Sequence, residues 1–363
     1  MPLSSPDSSR HADLDTIVFV ALSLTPFGWR RRMTERLHAG DSPGRVLDGL
    51  IAAQRPGTEF DRQTLAARAT AAVSQAKSAG IALVTWGDPA YPAALSAIAD
   101  PPPALWVRGN IGTLSGPAVA IVGSRAGTPY SLTVAERLAT DLAARGVVIV
   151  SGLARGVDSA AHRGALAAPG ATLAVLGSGV DVIYPAEHRS LARDIEAAGG
   201  AIVSELVPDT PPQPQFFPLR NRIISGLSRA VLIVEAGEKS GSLITARCAL
   251  DQGREVLAVP GNVLSGRNRG GHALLRDGAK IVESADDILE ELGMPTPPRA
   301  GAPAQDDAVD VVLRRGLPAG ESCDLEAISE RTGLTSARLL PKLFDLEMRG
   351  LVKRVGGGRF TRV

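Results

Sequence analysis

The chain has 363 residues, of which 44% are hydrophobic and 21% charged, and its formal net charge is +1. This composition is typical of an ordinary soluble globular protein, and the length allows two or three domains with sizeable cores. A near-neutral charge excludes a histone-like protein that is basic over its whole surface, so any nucleic-acid contact must be confined to a groove or patch.

The cysteines and the hydrophobic pattern both favour a cytoplasmic protein. Cys248 and Cys323 lie far apart and belong to no metal-ligand cluster, so we expect them to be reduced packing residues. The N-terminus lacks a charged-then-apolar signal pattern, and no apolar run approaches the roughly 18 residues of a membrane span. We therefore expect a soluble, cytoplasmic protein with no membrane contact.

The first region is predicted to be helical. Residues 1–13 are rich in Ser, Pro, Asp and His, and we expect them to be disordered. Over residues 14–80, apolar side chains recur at helical spacing and are interrupted by Pro and Gly clusters. This pattern predicts a small helical domain.

Residues 81–293 follow the rhythm of an α/β domain. Short apolar runs alternate with helical patterns, and from the second run onward nearly all end in a loop of small residues. The alternation predicts a parallel sheet covered by helices on both faces, with a ligand crevice at the carboxyl ends of the strands. The predicted strands are 81–86, 119–122, 147–150, 173–176, 202–203, 231–234 and 256–259, and the predicted helices include 132–145, 159–168 and 242–253.

Two of the loops after these strands carry an arginine. Arg125 follows Gly123 and Ser124 on a glycine turn, where its guanidinium can meet a phosphate through two hydrogen bonds; a structural ion pair is the alternative. Arg155 lies in the loop after the next strand. Because such loops meet at one edge of a parallel sheet, we expect these side chains to converge.

An acid-free window over residues 210–234 sets cations beside aromatic residues. It contains Phe217, Arg220, Asn221, Arg222 and Arg229 and no Asp or Glu. Phosphate attracts such cations, and a base can stack on an exposed ring. The alternative is that the phenylalanines are core residues and the arginines are solvated.

A second acid-free window covers residues 256–276. It contains Arg267, Arg269, His272 and Arg276. The window either extends the positive patch or forms a solvated loop, and the sequence favours neither interpretation.

The strand at 231–234 leads into a polar loop and then a helix. Lys239, Ser240 and Gly241 directly precede the helical pattern. A strand, a glycine loop and a helix N-terminus together favour anion binding, because backbone N–H groups and the helix dipole both face the loop.

Common cofactor and metal motifs are absent from the sequence. No Gly-x-Gly-x-x-Gly follows the first parallel strand and there is no Walker A loop, so nucleotide chemistry is poorly supported. Asp158 and His162 lie four residues apart, but no other histidine has ligand spacing, and we interpret Asp158 as a helix cap or loop anchor. Tyr184 and Pro185 are interpreted as a rigid turn. We therefore expect no cofactor and no metal.

The C-terminal region predicts a separate small domain. Residues 294–305 form a Pro-rich linker. Residues 306–363 contain helices at 308–315, 325–331 and 336–349 and a hairpin from residue 351, the order of a winged helix-turn-helix. The charges of this domain nearly balance, so DNA contact through Arg338 and Lys342 and contact with a protein remain equally open.

Together these motifs resemble the DNA-processing protein A family (DprA, also called Smf). The resemblance covers residue 91 to about residue 285, while residues 14–80 look like the family's sterile-alpha-motif-like (SAM-like) domain and the tail like its winged-helix domain. His188 and His272 depart from the family, which commonly has Asn there. The motifs occur in the family's order: Val122-Gly123-Ser124-Arg125, Ser151 to Asp158 with Ala161-His162, Tyr184-Pro185, Ser204-Glu205, Phe217 to Arg222, Ser240 to Thr245, and Val259-Pro260-Gly261.

The resemblance implies an α/β fold in which an extended Rossmann-like parallel-sheet domain (81–293) is flanked by a small N-terminal helical, SAM-like domain and a C-terminal winged-helix domain. It implies a non-enzymatic protein that binds single-stranded DNA, forms a homodimer through the Rossmann-like domain, and loads the RecA recombinase during natural transformation. In the process, single-strand-binding protein would be displaced from the DNA.

By the same resemblance, the backbone of the DNA would be held by Gly123, Ser124, Arg125, Arg220, Asn221 and Lys239, and Phe217 would meet a base. The complete predicted set of single-stranded DNA-binding residues is Gly123, Ser124, Arg125, Arg155, Phe217, Arg220, Asn221, Arg222, Lys239, Ser240 and Gly241. If about four cations engage phosphates, log affinity should fall with log salt at a slope of roughly −3.

Two other classes of protein remain as alternatives. Enzymes resembling cytokinin-activating phosphoribohydrolases use a related sheet and a Pro-Gly-Gly-x-Gly-Thr loop followed by a catalytic Glu. Here no Glu follows residues 240–245 in the next helical turn, which removes the acid–base residue. A transcription factor that uses the winged helix is the third interpretation, and the balanced charge of that domain weakens it.

Overall fold

The structure of the chain, a computed structural model, describes residues 6–54, 60–294, 316–318, 321–348 and 351–362. It divides the chain into two units, Met1–Met294 and Pro295–Val363. The predicted helix 308–315 and residues 295–305 of the predicted linker lie outside the described residues.

Four helices precede the sheet of the first unit: α1 (Pro6–Ser23), α2 (Arg30–His38), α3 (Pro43–Ala52) and α4 (Arg62–Ser78). The sequence predicts disorder for residues 1–13, whereas the structure includes residues 6–13 in helix α1. Pro6 is favourable at the first helical position, because its missing N–H needs no partner there. Ser42 and Asp61 begin α3 and α4 by accepting hydrogen bonds from backbone N–H groups one turn ahead.

A nine-stranded sheet forms the centre of the first unit. Its spatial order is β1-β2-β6-β5-β4-β3-β7-β8-β9, and every pair from β6 to β9 is parallel, whereas β2 is antiparallel to both of its neighbours. The predicted mostly parallel α/β sheet is therefore confirmed, although β2 and β9 were not predicted. The strands are β1 (Ala82–Thr85), β2 (Ala104–Gly109), β3 (Ala118–Val122), β4 (Val148–Ser151), β5 (Thr172–Val175), β6 (Ala201–Ser204), β7 (Ala230–Ile233), β8 (Glu255–Ala258) and β9 (Lys280–Ile281).

Helices cover both faces of this sheet, which explains why the strands are nearly continuous apolar runs. Val119 and Ile121 of β3 belong to one buried cluster, and Ala120 and Val122 belong to another on the opposite face. The covering helices are α5 (Ala93–Ser96), α6 (Pro129–Ala143), α7 (Val157–Leu166), α8 (Arg189–Ala197), α9 (Phe216–Gly226), α10 (Ser242–Asp251), α11 (Arg269–Arg276) and α12 (Ala285–Glu291).

The N-terminal helices share a core with the outer half of the sheet. Leu22 of α1 and Met33 of α2 lie in the same buried cluster as Trp106 of β2 and Ile202 of β6. All four side chains are fully buried. Burial of this apolar surface ties the helical segment to the sheet.

In the residues of the second unit that the structure describes, two α-helices and a three-stranded antiparallel sheet are present. Helix α13 (Leu325–Thr332) ends at Gly333, whose φ of +69° is a left-handed conformation that favours glycine, and α14 (Ser336–Met348) follows. The sheet has the order β10-β12-β11, from strands β10 (Ser322–Cys323), β11 (Val352–Val355) and β12 (Arg359–Arg362). This order of elements is that of a winged helix-turn-helix.

None of the helices in the described ranges combines the length and apolarity needed to cross a bilayer.

Candidate nucleic-acid interface

An open trough of about 850 Å³ runs along the carboxyl ends of β3 to β7. Five loops line it, each following a different strand: the loops after β3, β4, β5, β6 and β7. Parallel strands end at the same edge of a sheet, so residues far apart in sequence meet here. We call this cavity the strand-end trough.

The trough brings together nine of the eleven residues predicted to bind DNA. Arg155 lies instead at a smaller adjoining cavity of about 40 Å³, which it shares with Arg125, Phe217 and Arg220. Arg222 lines neither cavity. The nine residues in the trough are Gly123, Ser124, Arg125, Phe217, Arg220, Asn221, Lys239, Ser240 and Gly241.

The loops after β3 and β4 pack closely against each other because glycines stand at their contacts. A Cβ added to Gly123 would lie 2.8 Å from Cγ2 of Val157. Gly156 has a φ of +73°, and a Cβ there would lie 2.2 Å from the carbonyl oxygen of Ser124. Side chains are therefore excluded at both positions, and the two loops form one continuous wall.

Several amides of this wall are already used within the protein. The Ser124 N–H donates to the Glu235 carbonyl at 2.7 Å. The Asp158 carboxylate is 5% exposed and accepts a hydrogen bond from the Gly152 N–H at 3.1 Å. Burial raises the pKa of Asp158, while Arg220 and backbone hydrogen bonds, including one with Gly123, lower it. The prediction that Asp158 anchors a loop is confirmed, and the N–H groups of Gly123, Ser124 and Gly152 are engaged within the protein.

An arginine and two aromatic rings form a cluster in the trough. The Arg125 guanidinium carbon lies 5.6 Å from the centre of the Phe217 ring, a distance suited to a cation–π contact. The Tyr184 ring lies 5.5 Å from the Phe217 ring and is 45% exposed. Gly177 supports Phe217 from another side, since a Cβ at Gly177 would lie 2.9 Å from its Cδ1. Phe217 is thus held in place rather than free in solvent.

The sequence predicts a rigid turn at Tyr184 and Pro185 and does not indicate that Tyr184 belongs to this cluster. The peptide bond between the two residues is cis. The available signal was an aromatic residue in a loop that follows a predicted parallel strand, the position where ligand-contacting residues collect.

Arg220 forms part of the floor of the trough and is only 6% exposed. Its Nη1 donates to the carbonyl oxygens of Gly152 and Val175 at 2.7 and 2.5 Å. Burial lowers the pKa of Arg220 to about 10, against the opposing attraction of Asp158. The guanidinium is still charged at neutral pH, so it contributes a fixed positive charge beneath the trough and braces the loop after β4.

The opposite wall is the loop before α10. Lys239 is exposed there, and the Ser240 and Ser242 hydroxyls lie 2.7 Å apart. Asn221 Nδ2 donates to the Gly241 carbonyl at 3.3 Å and so joins α9 to this loop. Helix α10 has no side-chain N-cap, and the positive end of its dipole opens on the trough.

Arg155 and Arg222 are both engaged by carboxylates. Arg155 forms an exposed pair with Glu187, with Nε 2.5 Å from Oε1. The Arg222 side chain is 7% exposed and contacts Glu205 at 2.6 Å and Asp100 at 3.1 Å. Arg222 is two positions beyond Arg220 on a helix, and residues so spaced do not face the same way. The structure therefore does not bring Arg222 to the trough.

Metal ligands do not gather at the trough. His162 is fully buried, and its Nδ1 lies 2.7 Å from Oγ1 of Thr172. Burial lowers the pKa of His162 to about 3, so its ring is neutral. No group of three or more His, Cys, Asp or Glu residues suited to a metal occurs within the described ranges.

The two units match two family models. Residues 82–293 match the family described as DNA recombination-mediator protein A, and residues 295–358 match the DprA winged helix domain. The chain is 42% identical to Protein Smf of Escherichia coli over 279 residues, which are 74% of each protein. It is 45% identical to DNA processing protein DprA of Bacillus subtilis over 214 residues, 59% of this chain and 72% of that protein.

Two solved structures are similar as well. The crystal structure of DprA from Streptococcus pneumoniae superposes with a TM-score of 0.62 at 35% identity and covers 75% of this chain and 95% of that one. A DprA structure from Helicobacter pylori, whose description concerns a single-stranded DNA binding mode, gives a TM-score of 0.53 at 33% identity and covers 58% of this chain and 95% of that one.

Proposed function

This chain belongs to the DNA recombination-mediator protein A family, and we propose that it binds single-stranded DNA through the strand-end trough without regard to sequence. One observation carries the proposal. Nine of the residues predicted from the sequence to contact phosphates or bases, spread from Gly123 to Gly241, line a single open cavity. The Helicobacter pylori relative, for which single-stranded DNA binding is described, supports the choice of ligand.

Each part of the trough has a distinct role in this proposal. Arg125 and Lys239 are exposed and neutralise phosphates, while the buried Arg220 supplies a fixed charge below them. The Ser240 hydroxyl and the dipole of α10 favour a further phosphate. Phe217 and Tyr184 offer ring surface to a base. An unpaired strand can turn a base onto these rings, whereas a duplex hides its bases.

The family description supports a role as a recombination mediator. We propose that this role includes natural transformation, as the resemblance implies. We propose that the protein loads RecA onto the bound strand in the cytoplasm and displaces single-strand-binding protein.

We also propose that the protein forms a homodimer. Within the described ranges, the edge strand β9 pairs with β8 alone, and Ile281 on it is 58% exposed, which leaves a strand edge for a second copy. Light scattering of the full chain measures the dimer directly.

We propose that the trough binds without catalysing a reaction. Asp158 is the one acidic residue among the described residues that line the trough. It is 5% exposed, and its carboxylate accepts hydrogen bonds from backbone N–H groups. A general acid or base must reach its substrate's proton, which this placement prevents. Incubation with nucleoside monophosphates should release no free base, and release above a no-protein control would establish the enzymatic alternative.

The binding proposal is tested by fluorescence anisotropy with single-stranded oligonucleotides of several sequences and with a duplex. The single strands should bind with similar affinity and the duplex more weakly. Arg125→Ala should weaken all single strands alike and reduce the steepness of the salt dependence by about 0.7, because one phosphate contact is lost.

The matched control for this experiment is Arg137→Ala. Arg137 is 79% exposed on α6 and lines neither cavity, so its loss should change little. Equal effects of the two substitutions, tight duplex binding, or strong preference for one sequence would each contradict the proposal.

A further inference from the structure

The loop between β8 and α11, residues 260–268, lies directly beside the strand-end trough. Arg267 Nη1 donates to the carbonyl oxygen of Ala126 at 2.9 Å, and Ala126 lines the trough. On the other wall, a Cβ at Gly237 would lie 3.9 Å from the Arg267 carbonyl oxygen. The loop therefore joins the two walls at the β7–β8 end of the trough.

The buried Asn268 and the half-buried His272 fix this loop. Asn268 is 3% exposed; its Oδ1 accepts from the Ala236 N–H at 2.9 Å and its Nδ2 donates to the Val259 carbonyl at 3.0 Å. His272 Nε2 lies 3.1 Å from the Gly261 carbonyl oxygen. These contacts hold the loop against the sheet on both sides of its tip.

The tip of the loop is ordered yet apolar. Asn262 Oδ1 accepts from the Leu264 N–H at 2.8 Å, and Ser265 Oγ donates to the Asn262 carbonyl at 2.9 Å. Leu264 is nevertheless 93% exposed and Val263 75% exposed, the two most exposed large apolar side chains in the part of the chain that the structure describes.

An aromatic residue and two cations surround this tip. The hydroxyl of Tyr130, which is 55% exposed, donates to the Pro260 carbonyl at 3.3 Å. Arg267 and Arg269 follow in the chain and are both exposed. Arg269 approaches Glu238 at 3.9 Å, but both side chains are more than two-thirds exposed, so that pair contributes little.

We propose that residues 260–268, together with Tyr130, form a second contact for single-stranded DNA where the strand leaves the trough. Val263, Leu264 and the Tyr130 ring would contact bases, and Arg267 and Arg269 would contact phosphates. This inference rests on the proposed function and extends the path of the strand beyond the trough.

Charge and continuity favour a nucleic acid as the occupant. Residues 256–276 contain no Asp or Glu, so cations and no acids accompany the exposed apolar tip within this segment, and the acid that the structure places beside them is Glu238. Apolar side chains between cations suit the bases and phosphates of an unpaired strand, since bases stack on rings and accept apolar side chains between them. A strand held by Arg125 and Lys239 would meet this surface next, because Arg267 contacts the Arg125 loop.

The test compares two lengths of oligothymidine, about 6 and about 25 nucleotides, because only the longer strand extends past a trough that holds a few nucleotides. The double variant Val263→Ser, Leu264→Ser in the full chain should bind the long strand about fivefold or more weakly and the short strand as tightly as wild type. The matched control is Leu14→Ser, which changes another exposed leucine, 63% exposed, that lines neither cavity.

A direct readout accompanies the affinities. A 5-iodouracil base placed along the long strand should photocross-link to Tyr130 or to a peptide containing residues 260–268, and the double variant should lose the loop cross-link.

Unchanged binding of both lengths overturns the proposal, as does equal weakening of both, which would place the tip within the trough. A change in oligomeric mass of the double variant with unchanged DNA affinity also overturns it, because the tip would then be an interface between copies. Failure of the wild-type protein to bind either length is a separate result and contradicts the proposed function itself.

Discussion

At the scale of single residues, neighbours in the segment 216–222 point to different environments. Phe216 contacts Phe27 of the N-terminal helical segment, with ring centres 6.1 Å apart, whereas Phe217 contacts Arg125 and Tyr184 in the trough. The two phenylalanines therefore form a matched pair for separating base stacking from packing.

We expect Phe217→Ala to weaken single-stranded DNA binding by about 5- to 150-fold, because a base stacked on a ring is worth roughly 1–3 kcal/mol. Phe216→Ala should lower the thermal stability but leave the affinity near that of wild type. Anisotropy titrations and thermal unfolding of both variants measure this. Equal affinities for the two variants would remove the stacking role of Phe217.

The buried His162 should make the free energy of unfolding depend on pH. Thr172 donates its hydroxyl proton to the Ile149 carbonyl at 2.7 Å, so it accepts from the Nδ1–H of His162. Nε2 is buried with no partner in the described structure. Burial first, and then the charges of His188, Arg220 and Arg163, lower the pKa of His162 from 6.5 to about 3.

Between these two pKa values the unfolded chain binds the proton and the folded chain does not. The free energy of unfolding should therefore fall as the pH drops from about 6.5 towards 3, by up to about 1.4 kcal/mol per pH unit from this residue. His162→Gln, which does not titrate, should show a shallower decline in urea unfolding measured from pH 7 to 4. Parallel pH profiles for the two proteins would contradict this account.

At the scale of elements, a buried charge network connects the N-terminal helices to α9. Arg222 of α9 contacts Glu205 after β6, and the charge of Glu205 also acts on the fully buried Arg30 of α2. Arg30 in turn donates to the carbonyl oxygens of Leu22 and Ser23 at the end of α1. The network fixes the helical segment against the sheet from the side opposite the trough residues of α9.

Removing Arg222 leaves the buried Glu205 carboxylate without its ion-pair partner, whereas Asp100, whose side chain is 39% exposed, can be solvated. Arg222→Met should therefore lower the free energy of unfolding by about 3–5 kcal/mol, while the folded protein keeps its affinity for single-stranded DNA. Arg155→Met, which breaks the exposed pair with Glu187, should leave the stability near that of wild type. Urea unfolding measures the stability of both variants, and anisotropy measures their affinity for single-stranded DNA. A large loss of affinity in folded Arg222→Met would show that Arg222 contacts DNA.

At the scale of the whole molecule, the trough is built entirely within the first unit. All of its lining residues lie between Val122 and Thr245. In the second unit, helix α14 exposes Leu340 and Phe344, at 46% and 64%, while β11 exposes Lys353 and Arg354. Because the candidate site is assembled wholly within the first unit, we expect the first unit to supply the affinity for single-stranded DNA.

We expect a protein truncated after residue 294 to bind oligothymidine as tightly as the full chain. For an oligothymidine of about 6 nucleotides, which is confined to the trough, the cations available are Arg125, Arg220 and Lys239. Log affinity should then fall with log salt at a slope of about −2 in both proteins, shallower than the −3 expected from the sequence. A weaker, less salt-dependent truncated protein would show that the second unit contacts DNA.

The sequence by itself determined the parallel sheet and the edge at which the site lies. Buried parallel strands are continuous apolar runs, and the small-residue loops after 119–122 and 231–234 mark their carboxyl ends, so local pattern alone located Gly123, Arg125 and Lys239. Tertiary structure decided which way side chains point. Arg222 points away from the trough because residues 216–226 form helix α9, and the proline in this segment gave no indication of a helix. Tyr184 lines the trough because its loop passes Phe217. The 260–268 loop lies beside the trough because Asn268 and Arg267 bond to residues that are distant in the chain. The direction of a side chain depends on its position around the helix and on such non-local contacts, and neither can be read from the spacing of neighbouring residues.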